Sequence, residues 1–442
     1  HESSIRLLRD RPIKVFKIPA ILLKGKARLK AYLADTTDFE AKLLPYNLEL
    51  IEWLKVEKAS GRQLILCTAT DRSIAHKISD HLQIFDEVIA SDGEVNLAGV
   101  NKADALVRRF GEGGFDYVGN STKDLPVWQR ANSAVVVNGK GQLANRAAAF
   151  CDVEKVFPPK PISISTGARV LRLHQWLKNL LLFVPLLAAH QLGSIDSWLA
   201  LTLAFFAFGL CASSVYITND LLDIESDRAH PRKRYRPFAS GHVPIWMGVA
   251  LSPLLLVVSL VLAWLVGLPF LFWLLFYFVV TVAYSFYLKR IVLLDCLVLA
   301  LLYTLRIVAG AAAVGLGLTF WLLAFSIFLF LSLAFIKRYA ELGIKLLDDS
   351  LKLHGRGYQT EDAILVQTMG IVSGYVSVLV LALYLNSASV VHLYAQPEIV
   401  MGAVPVMLFW ISWMWLQAHR GKMHDDPLVF AVKDKASIAA GF

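Results

Sequence analysis

The pattern of hydrophobic and polar residues divides the chain near residue 160. Before that point, short apolar runs alternate with amphipathic stretches; after it, the apolar runs approach the roughly 20 residues that a helix needs to cross a bilayer. The long runs cover residues 177–192, 197–219, 244–267, 269–288, 291–315, 319–336, 364–386 and 398–418, and a further run begins near Pro427. The pattern predicts a multi-pass α-helical membrane protein with about nine transmembrane helices.

The charge of the connections predicts which side of the membrane each one faces. The connections near 193–196, 266–269, 315–319 and 386–398 contain no lysine or arginine, whereas the alternate ones, at 228–236, 289–290, 337–356 and 419–422, are basic. Basic connections stay in the cytoplasm, so we expect a protein of the cell inner (plasma) membrane. Orientation and anionic substrates explain the net charge of +9. We therefore expect the lipid bilayer, and no nucleic acid, as a partner.

The first part of the chain has the pattern of a soluble domain. Residues 44–150 alternate between helical and strand patterns, which predicts a parallel α/β (Rossmannoid) sheet with helices on both sides. Ligands bind at the carboxyl ends of strands in such sheets. The polar candidates at these ends are Thr68, Lys102, Asn120 and Asp124.

Domain boundaries follow from composition. We expect a soluble domain over 1–155, a proline-containing linker over 156–168 and a membrane domain over 169–442. Within the soluble domain, the segment 11–43 begins with a basic, amphipathic helical stretch. This stretch either lies on the inner leaflet or packs on the domain as a cap.

An acidic motif stands at the end of the second long run. Asn219 precedes Asp220, Asp223 and Asp227, and the three aspartates are spaced at i, i+3 and i+7. On a continuous helix this spacing places the three carboxylates on one face. So much like charge requires a cation, and carboxylates together with substrate phosphates suit Mg²⁺. The motif predicts a diphosphate site; the alternative is a solvated acidic helix end.

Other polar residues are predicted at the cytoplasmic level or deeper. Candidates for substrate binding are Arg172, Lys178, Asn179, Asn219, Lys233, Arg234, Arg236, Tyr284, Lys289 and Arg306. Asp295 is a catalytic candidate at a depth similar to the acidic motif. Arg306 lies about three turns deeper and serves either the site or a buried structural ion pair. Further charged residues on the cytoplasmic side, most of which we expect at solvated helix ends, are Lys337, Arg338, Glu341, Asp425 and Asp426.

The motifs over residues 169–442 together resemble the UbiA superfamily of intramembrane prenyltransferases. The resemblance rests on NDxxDxxxD at the end of the second span, a second polar motif two spans later and about nine helices with every motif on the cytoplasmic side. The runs QWxKN and NDxxDxExDRxHPxKRxRPxAxG are most similar to the decaprenyl-phosphate phosphoribosyltransferase branch. Aromatic prenyltransferases of the superfamily generally carry a second acidic cluster, whereas this chain has the single Asp295.

The resemblance implies a function. It implies Mg²⁺-dependent transfer of 5-phosphoribosyl from phosphoribosyl diphosphate to a polyprenyl phosphate, with Asp220, Asp223 and Asp227 as metal ligands. One alternative is transfer of a prenyl group from prenyl diphosphate to an aromatic or other small acceptor. Another is a transporter or scaffold whose acidic cluster binds ions. Self-association into homo-oligomers stays open.

The soluble part resembles the haloacid dehalogenase-like phosphatases. Thr68, Lys102, and Asn120 with Asp124 have the order and spacing of the second, third and fourth motifs of that family. Asn120 stands where an aspartate is common, and the strand with the nucleophilic aspartate is missing from this chain. The resemblance implies removal of the 5-phosphate to give polyprenylphosphoryl ribose, but without the nucleophile we expect this domain to be inactive.

Overall fold

The structure is a computed structural model that describes residues 2–11, 14, 17–23, 25–37, 40–92, 94–139, 141–347, 357–386, 397–423 and 426–441. It divides the chain into two compact units. The first unit comprises His1–Val170 and Asp220–Val249, and the second comprises Leu171–Asn219 and Ala250–Phe442. The acidic motif after Asn219 therefore belongs to the unit that contains the soluble domain.

The described residues of the first unit form five strands, β1 (Ile65–Asp71), β2 (Glu87–Ser91), β3 (Tyr117–Gly119), β4 (Ser133–Val137) and β5 (Asp152–Phe157). The helices up to the domain boundary are α1 (Glu2–Asp10), α2 (Ile18–Leu23), α3 (Lys26–Thr36), α4 (Leu48–Ala59), α5 (Arg72–Leu82), α6 (Val100–Phe110), α7 (Leu125–Trp128), α8 (Gly141–Ala148) and α9 (Ile164–Leu171). All strand pairs are parallel, as the alternating pattern predicts, but they form two sheets, β1-β2 and β3-β4-β5. Every residue of β4 is buried, whereas every residue of β1 is half-buried.

The stretch predicted as a leaflet or cap helix packs, in its second part, on the soluble domain. Ala27 and Leu33 of α3 are buried. Lys30 of the same helix donates hydrogen bonds to the carbonyl of Ala69 in β1, at 2.5 Å, and to Asn96 Oδ1, at 2.8 Å. Five residues of the segment before α3, at positions 12, 13, 15, 16 and 24, lie outside the described residues.

The remaining helices are α10 (Val184–Ala188), α11 (Ile195–Leu222), α12 (Ile224–Ala229), α13 (Ile245–Val266), α14 (Leu268–Phe286), α15 (Leu294–Val314), α16 (Phe320–Leu347), α17 (Ala363–Leu385), α18 (Pro397–Val400), α19 (Ala403–His419), α20 (Pro427–Lys433) and α21 (Lys435–Ala439). Within the described part of the chain, six helices are long and apolar enough to cross a membrane. They are Ile195–Leu222, Ile245–Val266, Leu268–Phe286, Leu294–Val314, Phe320–Gly343 and Thr360–Leu385. The predicted total of nine is not reached in these residues.

Three predicted spans differ from the structure. The first run, 177–192, forms a 3₁₀ segment, Leu173–Phe183, followed by the five-residue α10. Pro185 in the first turn of α10 has no backbone N–H and cannot continue a helix from the preceding segment. The run 398–418 gives the 17-residue α19, and the run from Pro427 gives the short α20 and α21. The connection 386–398 lies largely outside the described residues, as does 348–356.

The second unit is held together by two clusters of buried apolar side chains. One cluster joins α15, α16, α17 and α19, and the other joins α10, α11, α14 and α15. Helix α15 contributes to both and comes into close backbone contact with the 3₁₀ segment, because a Cβ at Gly310 would collide with the carbonyl oxygen of Leu182. The central position of α15 explains how its polar residues Asp295 and Arg306 come to be buried.

Candidate active site

The acidic motif lies across a break between two helices. Helix α11 ends at Leu222, and Asp223, with φ −96° and ψ 11°, separates it from α12. The prediction of one continuous helix is therefore wrong at Asp223, and the three carboxylates do not share one helix face. Among the described residues, no group of three or more acidic, histidine or cysteine side chains is close enough to hold a metal ion.

Two carboxylates of the motif nevertheless converge. Asp220 and Asp227 are 4% and 2% exposed. One guanidinium nitrogen of Arg236 lies 3.1 Å from Asp220 Oδ1 and 2.6 Å from Asp227 Oδ2. Burial raises the pKa of Asp227, and the charge of Arg236 opposes this rise. Because one nitrogen reaches both carboxylates, one cation can contact both.

The donor set of this pair fits magnesium. Mg²⁺ binds oxygen ligands and is commonly held by one or two carboxylates plus substrate phosphates, with waters completing its shell. Asp220 and Asp227 offer two carboxylates at one point, and Arg236 shows that a positive charge is accommodated there. The assignment of Asp220, Asp223 and Asp227 as metal ligands stays a prediction.

One residue of the basic loop after the motif, Arg236, contacts the carboxylates of Asp220 and Asp227. Arg236 is half-buried, whereas Lys233 and Arg234 are exposed on a 3₁₀ turn, Lys233–Tyr235. The Arg234 guanidinium stacks on the ring of Tyr235 and donates to its hydroxyl at 2.7 Å. Exposed basic side chains here are consistent with either phosphate capture or the positive-inside signal.

A second polar group lies inside the second unit, and we call Lys178, Asn179 and Arg306 the cationic cluster. They are 8%, 1% and 4% exposed. Arg306 Nε donates to Asn179 Oδ1 at 3.1 Å, and its other nitrogens donate to the Tyr277 hydroxyl at 2.9 Å and to the carbonyl of Leu302 at 2.5 Å. The structure thus brings together three of the predicted substrate-binding residues.

Asp426 holds the lysine of this cluster. Its carboxylate accepts hydrogen bonds from Lys178 Nζ at 2.7 Å and from the Tyr303 hydroxyl at 3.0 Å, and Lys337 Nζ lies 3.5 Å away. Asp426 is 8% exposed, so the expectation of a solvated helix end is wrong for this residue. Its neighbour Asp425 lies outside the described residues. The acid follows Lys178 by 248 positions, and no local sequence signal pairs the two.

The charges around Tyr303 do not balance. Lys178 and Arg306 lie over its ring, at 5.3 and 5.8 Å from the centroid, and Lys337 reaches Asp426. Among the described residues, Arg306 has no ion pair, and Asp426 is the one carboxylate that contacts the two lysines. Arg306 is therefore not part of an ion pair within the part of the chain that the structure describes. Asn179 Nδ2 is buried without a hydrogen-bond partner in the described part of the chain.

Asp295 occupies a different environment. It is fully buried, ion-paired with the equally buried Arg338, and accepts a hydrogen bond from the Tyr358 hydroxyl at 2.6 Å. Arg338 also pairs with Glu341. Arg338 is thus not at a solvated helix end, because it compensates a carboxylate that the apolar helix α15 buries. The catalytic role of Asp295 stays a prediction, and its present contacts are those of a positioning pair.

The other predicted residues of the second unit have contacts of their own. Asn219 donates to Ser285 Oγ at 2.9 Å. The Arg172 guanidinium lies over the ring of Tyr216 at 4.9 Å. Tyr284 packs against an apolar cluster, and Lys289 is half-buried on the 3₁₀ turn Leu288–Arg290. Their roles in substrate binding stay predictions.

In the soluble domain, two of the four candidates meet. Lys102 Nζ donates to the Tyr117 hydroxyl at 2.6 Å and lies 3.6 Å from Asp124 Oδ1. Asp124 also accepts the backbone N–H of Asn120 at 3.1 Å. The Thr68 hydroxyl bonds to that of Thr70 at 3.1 Å.

Lys30 is a basic residue near this group that the sequence did not single out. Burial lowers the pKa of Lys30, and the charges of Lys123, Lys102 and Lys26 lower it further. The carboxyl end of β1 is therefore surrounded by cations drawn from three separate segments. Lys30 falls in the basic stretch 11–36, where the hydrophobic pattern gave no reason to prefer one lysine over another.

A bundle of long apolar helices that encloses buried cations and carboxylates defines a multi-pass membrane protein with an interior polar site. The UbiA prenyltransferase family model matches residues 180–432, more than half of the chain. The protein belongs to the UbiA prenyltransferase family, a family of membrane transferases.

Relatives extend the comparison beyond the family domain. The uncharacterized protein y4nM of Sinorhizobium fredii is 36% identical over 439 residues, which are 99% of this chain and 85% of that protein. Decaprenyl-phosphate phosphoribosyltransferase of Mycolicibacterium smegmatis is 40% identical over 189 residues of the C-terminal part, 42% of this chain and 59% of that enzyme. A solved UbiA homologue from Archaeoglobus fulgidus bound to DMAPP and Mg²⁺ has a TM-score of 0.47 at 16% identity, covering 62% of this chain and 98% of that chain.

Proposed function

We propose that the membrane domain transfers a 5-phosphoribosyl group from phosphoribosyl diphosphate to a polyprenyl phosphate at the cytoplasmic face of the inner membrane. The observation that carries the proposal is the excess of positive charge around Tyr303. Among the described residues, Asp426 pairs with Lys178 and Lys337, whereas Arg306 lies over the Tyr303 ring without an ion pair. Buried cations are costly unless an anion compensates them. A lipid phosphate is an anion that reaches such a place from the bilayer.

The cationic cluster is suited to orient that phosphate. Arg306 is a planar donor that binds phosphate oxygens well, and Lys178 adds a point charge that Asp426 holds in place. Asn179 Nδ2 supplies a further donor without a partner among the described residues. Because a phosphate is already ionised, its oxygen attacks C1 of the ribose without a base to remove a proton. The 40% identity to the mycobacterial phosphoribosyltransferase supports the same acceptor class.

The acidic motif is suited to hold the donor. In the proposal, Asp220 and Asp227, together with Asp223, would hold Mg²⁺, which would stabilise the charge of the diphosphate as its bond to C1 breaks. Arg236 already contacts both buried carboxylates. In the proposal, Arg236 turns toward the diphosphate oxygens when the donor binds, because a guanidinium is a strong bidentate partner for phosphate.

The reaction is tested with the full chain reconstituted in lipid. We expect radiolabelled phosphoribosyl diphosphate and a polyprenyl phosphate to give a lipid-linked pentose phosphate, with the yield strongly reduced in Asp220→Asn. Arg290→Met is the matched control, because Arg290 is exposed on the turn after α14. Absence of any lipid-linked pentose would refute the phosphoribosyl assignment. Consumption of prenyl diphosphate with an aromatic acceptor would instead establish the prenyltransferase alternative.

For the soluble domain we propose recognition of the phosphorylated product and, in a chain that also carries the nucleophilic aspartate, removal of its 5-phosphate. Lys102 and Asp124 are in contact, and Lys30 adds a cation at the carboxyl end of β1. A tethered second site raises the effective concentration of the product that it acts on. Free phosphate released from lipid-linked phosphoribose by a chain that includes that aspartate tests this step. No release, with lipid-linked phosphoribose accumulating, would refute it and leave the transfer proposal intact.

A further inference from the structure

Helix α12 is too short to hold its own position. It has six residues, Ile224–Ala229, and carries Asp227. Isolated helices shorter than about 12 residues are marginal in water, so a short helix depends on the contacts of its neighbours. The break at Asp223 also separates α12 from the long helix α11. Whatever fixes α12 therefore fixes the position of the Asp227 carboxylate.

The N-terminal helix α1 supplies these contacts. Arg6 lies 2.7 Å from Glu225 Oε1, and Arg228 lies 2.7 Å from Glu2 Oε1. Within α1, Arg6 and Glu2 also pair at 3.2 Å. Two acids and two bases thus alternate across the two helices, one of each sign on each helix. We call Glu2, Arg6, Glu225 and Arg228 the α1–α12 network.

The two arginines of the network are buried, and the side chains of Glu225 and Glu2 are half-buried, at 22% and 26% exposed. The side chains of Arg6 and Arg228 are 7% and 6% exposed, and Leu7 beside them is fully buried. Pairs between exposed charges contribute little, whereas breaking a buried pair leaves an uncompensated charge. Arg228 also donates its Nε–H to the carbonyl of Ala239, which ties α12 to the chain after the basic loop.

We infer that the α1–α12 network positions α12 for the donor, so that the first helix of the soluble domain is a structural part of the donor site of the membrane domain. The inference rests on the proposed function for the role of Asp227 and adds positioning residues to it. The four residues act through α12 and do not contact substrate. The inference gives the soluble domain a role in the same chain as the membrane domain that does not depend on phosphatase activity.

The alternation of charges permits a test at constant net charge. The α1 variant combines Glu2→Arg with Arg6→Glu. It keeps the ion pair within α1 but places charges of the same sign opposite each other on α1 and α12. The α12 variant combines Glu225→Arg with Arg228→Glu and has the same effect. The quadruple variant carries all four substitutions, so every pair between α1 and α12 again has opposite charges. The control exchanges an exposed pair, Glu87→Arg with Arg109→Glu, whose side chains are 34% and 58% exposed.

Two measurements on the full chain read the outcome. In the α1 variant we expect the rate of hydrogen exchange of the α12 amides to rise about tenfold. We expect the Mn²⁺ affinity, measured by electron paramagnetic resonance, to fall by about the same factor, which is the size of coupling found between contacting charges. The quadruple variant should recover most of both, and the exposed control should match the native chain. The α1 variant is decisive because it preserves the bond from Arg228 to Ala239.

Unchanged exchange in the α1 variant, or no recovery in the quadruple variant, would overturn the inference. If the native chain binds no Mn²⁺, the magnesium proposal fails on its own, and the exchange rates of α12 decide the network separately. If α12 loosens while Mn²⁺ affinity stays native, α1 holds the helix but does not serve the donor site, and the inference is again overturned.

Discussion

Replacement of Arg306 by methionine tests the acceptor site most directly. Methionine is similar in length and apolar, so it fills the space among the helices without a charge. The change removes three hydrogen bonds, to Asn179 Oδ1, the Tyr277 hydroxyl and the carbonyl of Leu302. Each buried partner left unpaired costs about 1–3 kcal/mol. Relief of the desolvated, unpaired cation offsets part of this cost, so we expect the protein to stay folded.

The effect on transfer should be much larger than the effect on folding. Removal of one charged donor from a preorganised oxyanion site commonly costs about 10²–10³-fold in rate. Arg306→Met should therefore lower kcat/KM for polyprenyl phosphate by about 100-fold, which corresponds to about 2.7 kcal/mol. The kcat/KM of Arg306→Lys should lie between those of the native chain and Arg306→Met, because lysine keeps the charge but cannot make the forked hydrogen bonds of a guanidinium.

The assay follows label from phosphoribosyl diphosphate into lipid at several acceptor concentrations, so that kcat and KM are obtained separately. Thermal unfolding in detergent monitors the fold of each variant. If Arg306→Met is folded and its kcat/KM stays within about threefold of native, a change worth less than about 1 kcal/mol, then Arg306 does not bind the acceptor phosphate. The reasoning from unbalanced charge would then be refuted.

Three further predictions concern other parts of the molecule. Gly310→Ala should prevent close packing against Leu182 and lower the melting temperature in detergent, whereas Gly343→Ala, with nothing within 4 Å, should not. Burial raises the pKa of Cys67 to about 11, so at pH 8 its thiol should resist alkylation by iodoacetamide in the native chain and react once the chain is denatured. In the native chain, the alkylation rate should rise only as the pH approaches 11. Rapid alkylation of the native chain at pH 8 would contradict this prediction. Chelation of divalent ions should abolish transfer, added Mg²⁺ should restore it, and Asp227→Asn should weaken the restoration; full activity in chelator would exclude the metal proposal.

The apolar pattern predicted the membrane helices well because burial in lipid is a property of each segment by itself. Six long apolar runs became helices of spanning length. The run from 177 did not, although it is equally apolar after Asn179. Its polar start is bonded to distant residues, and Pro185 interrupts the backbone pattern that a single helix would need. Hydrophobicity alone does not register either effect.

The acidic motif shows where spacing arguments stop. The i, i+3, i+7 pattern assumes one continuous helix, but the chain turns at Asp223. Two of its carboxylates meet all the same, because Arg236, nine residues after Asp227, reaches both. The sequence therefore located the acidic residues of the motif but not the geometry that assembles them, since the spacing of these residues does not reveal the helix break at Asp223.

The cationic cluster shows why the burial of charged residues at the ends of apolar segments is hard to predict from the sequence. Lys178 and Arg306 were recognisable because a cation inside an apolar run is costly and demands a reason. Asp426 stands between charged residues and a proline, a context shared by many solvated helix ends, so nothing local marks it as buried. Tyr303 is one apolar-looking residue within a long run. Their joint arrangement follows only from helix packing. This arrangement leaves positive charge in excess among the described residues, and the proposal that the site binds an anion depends on it.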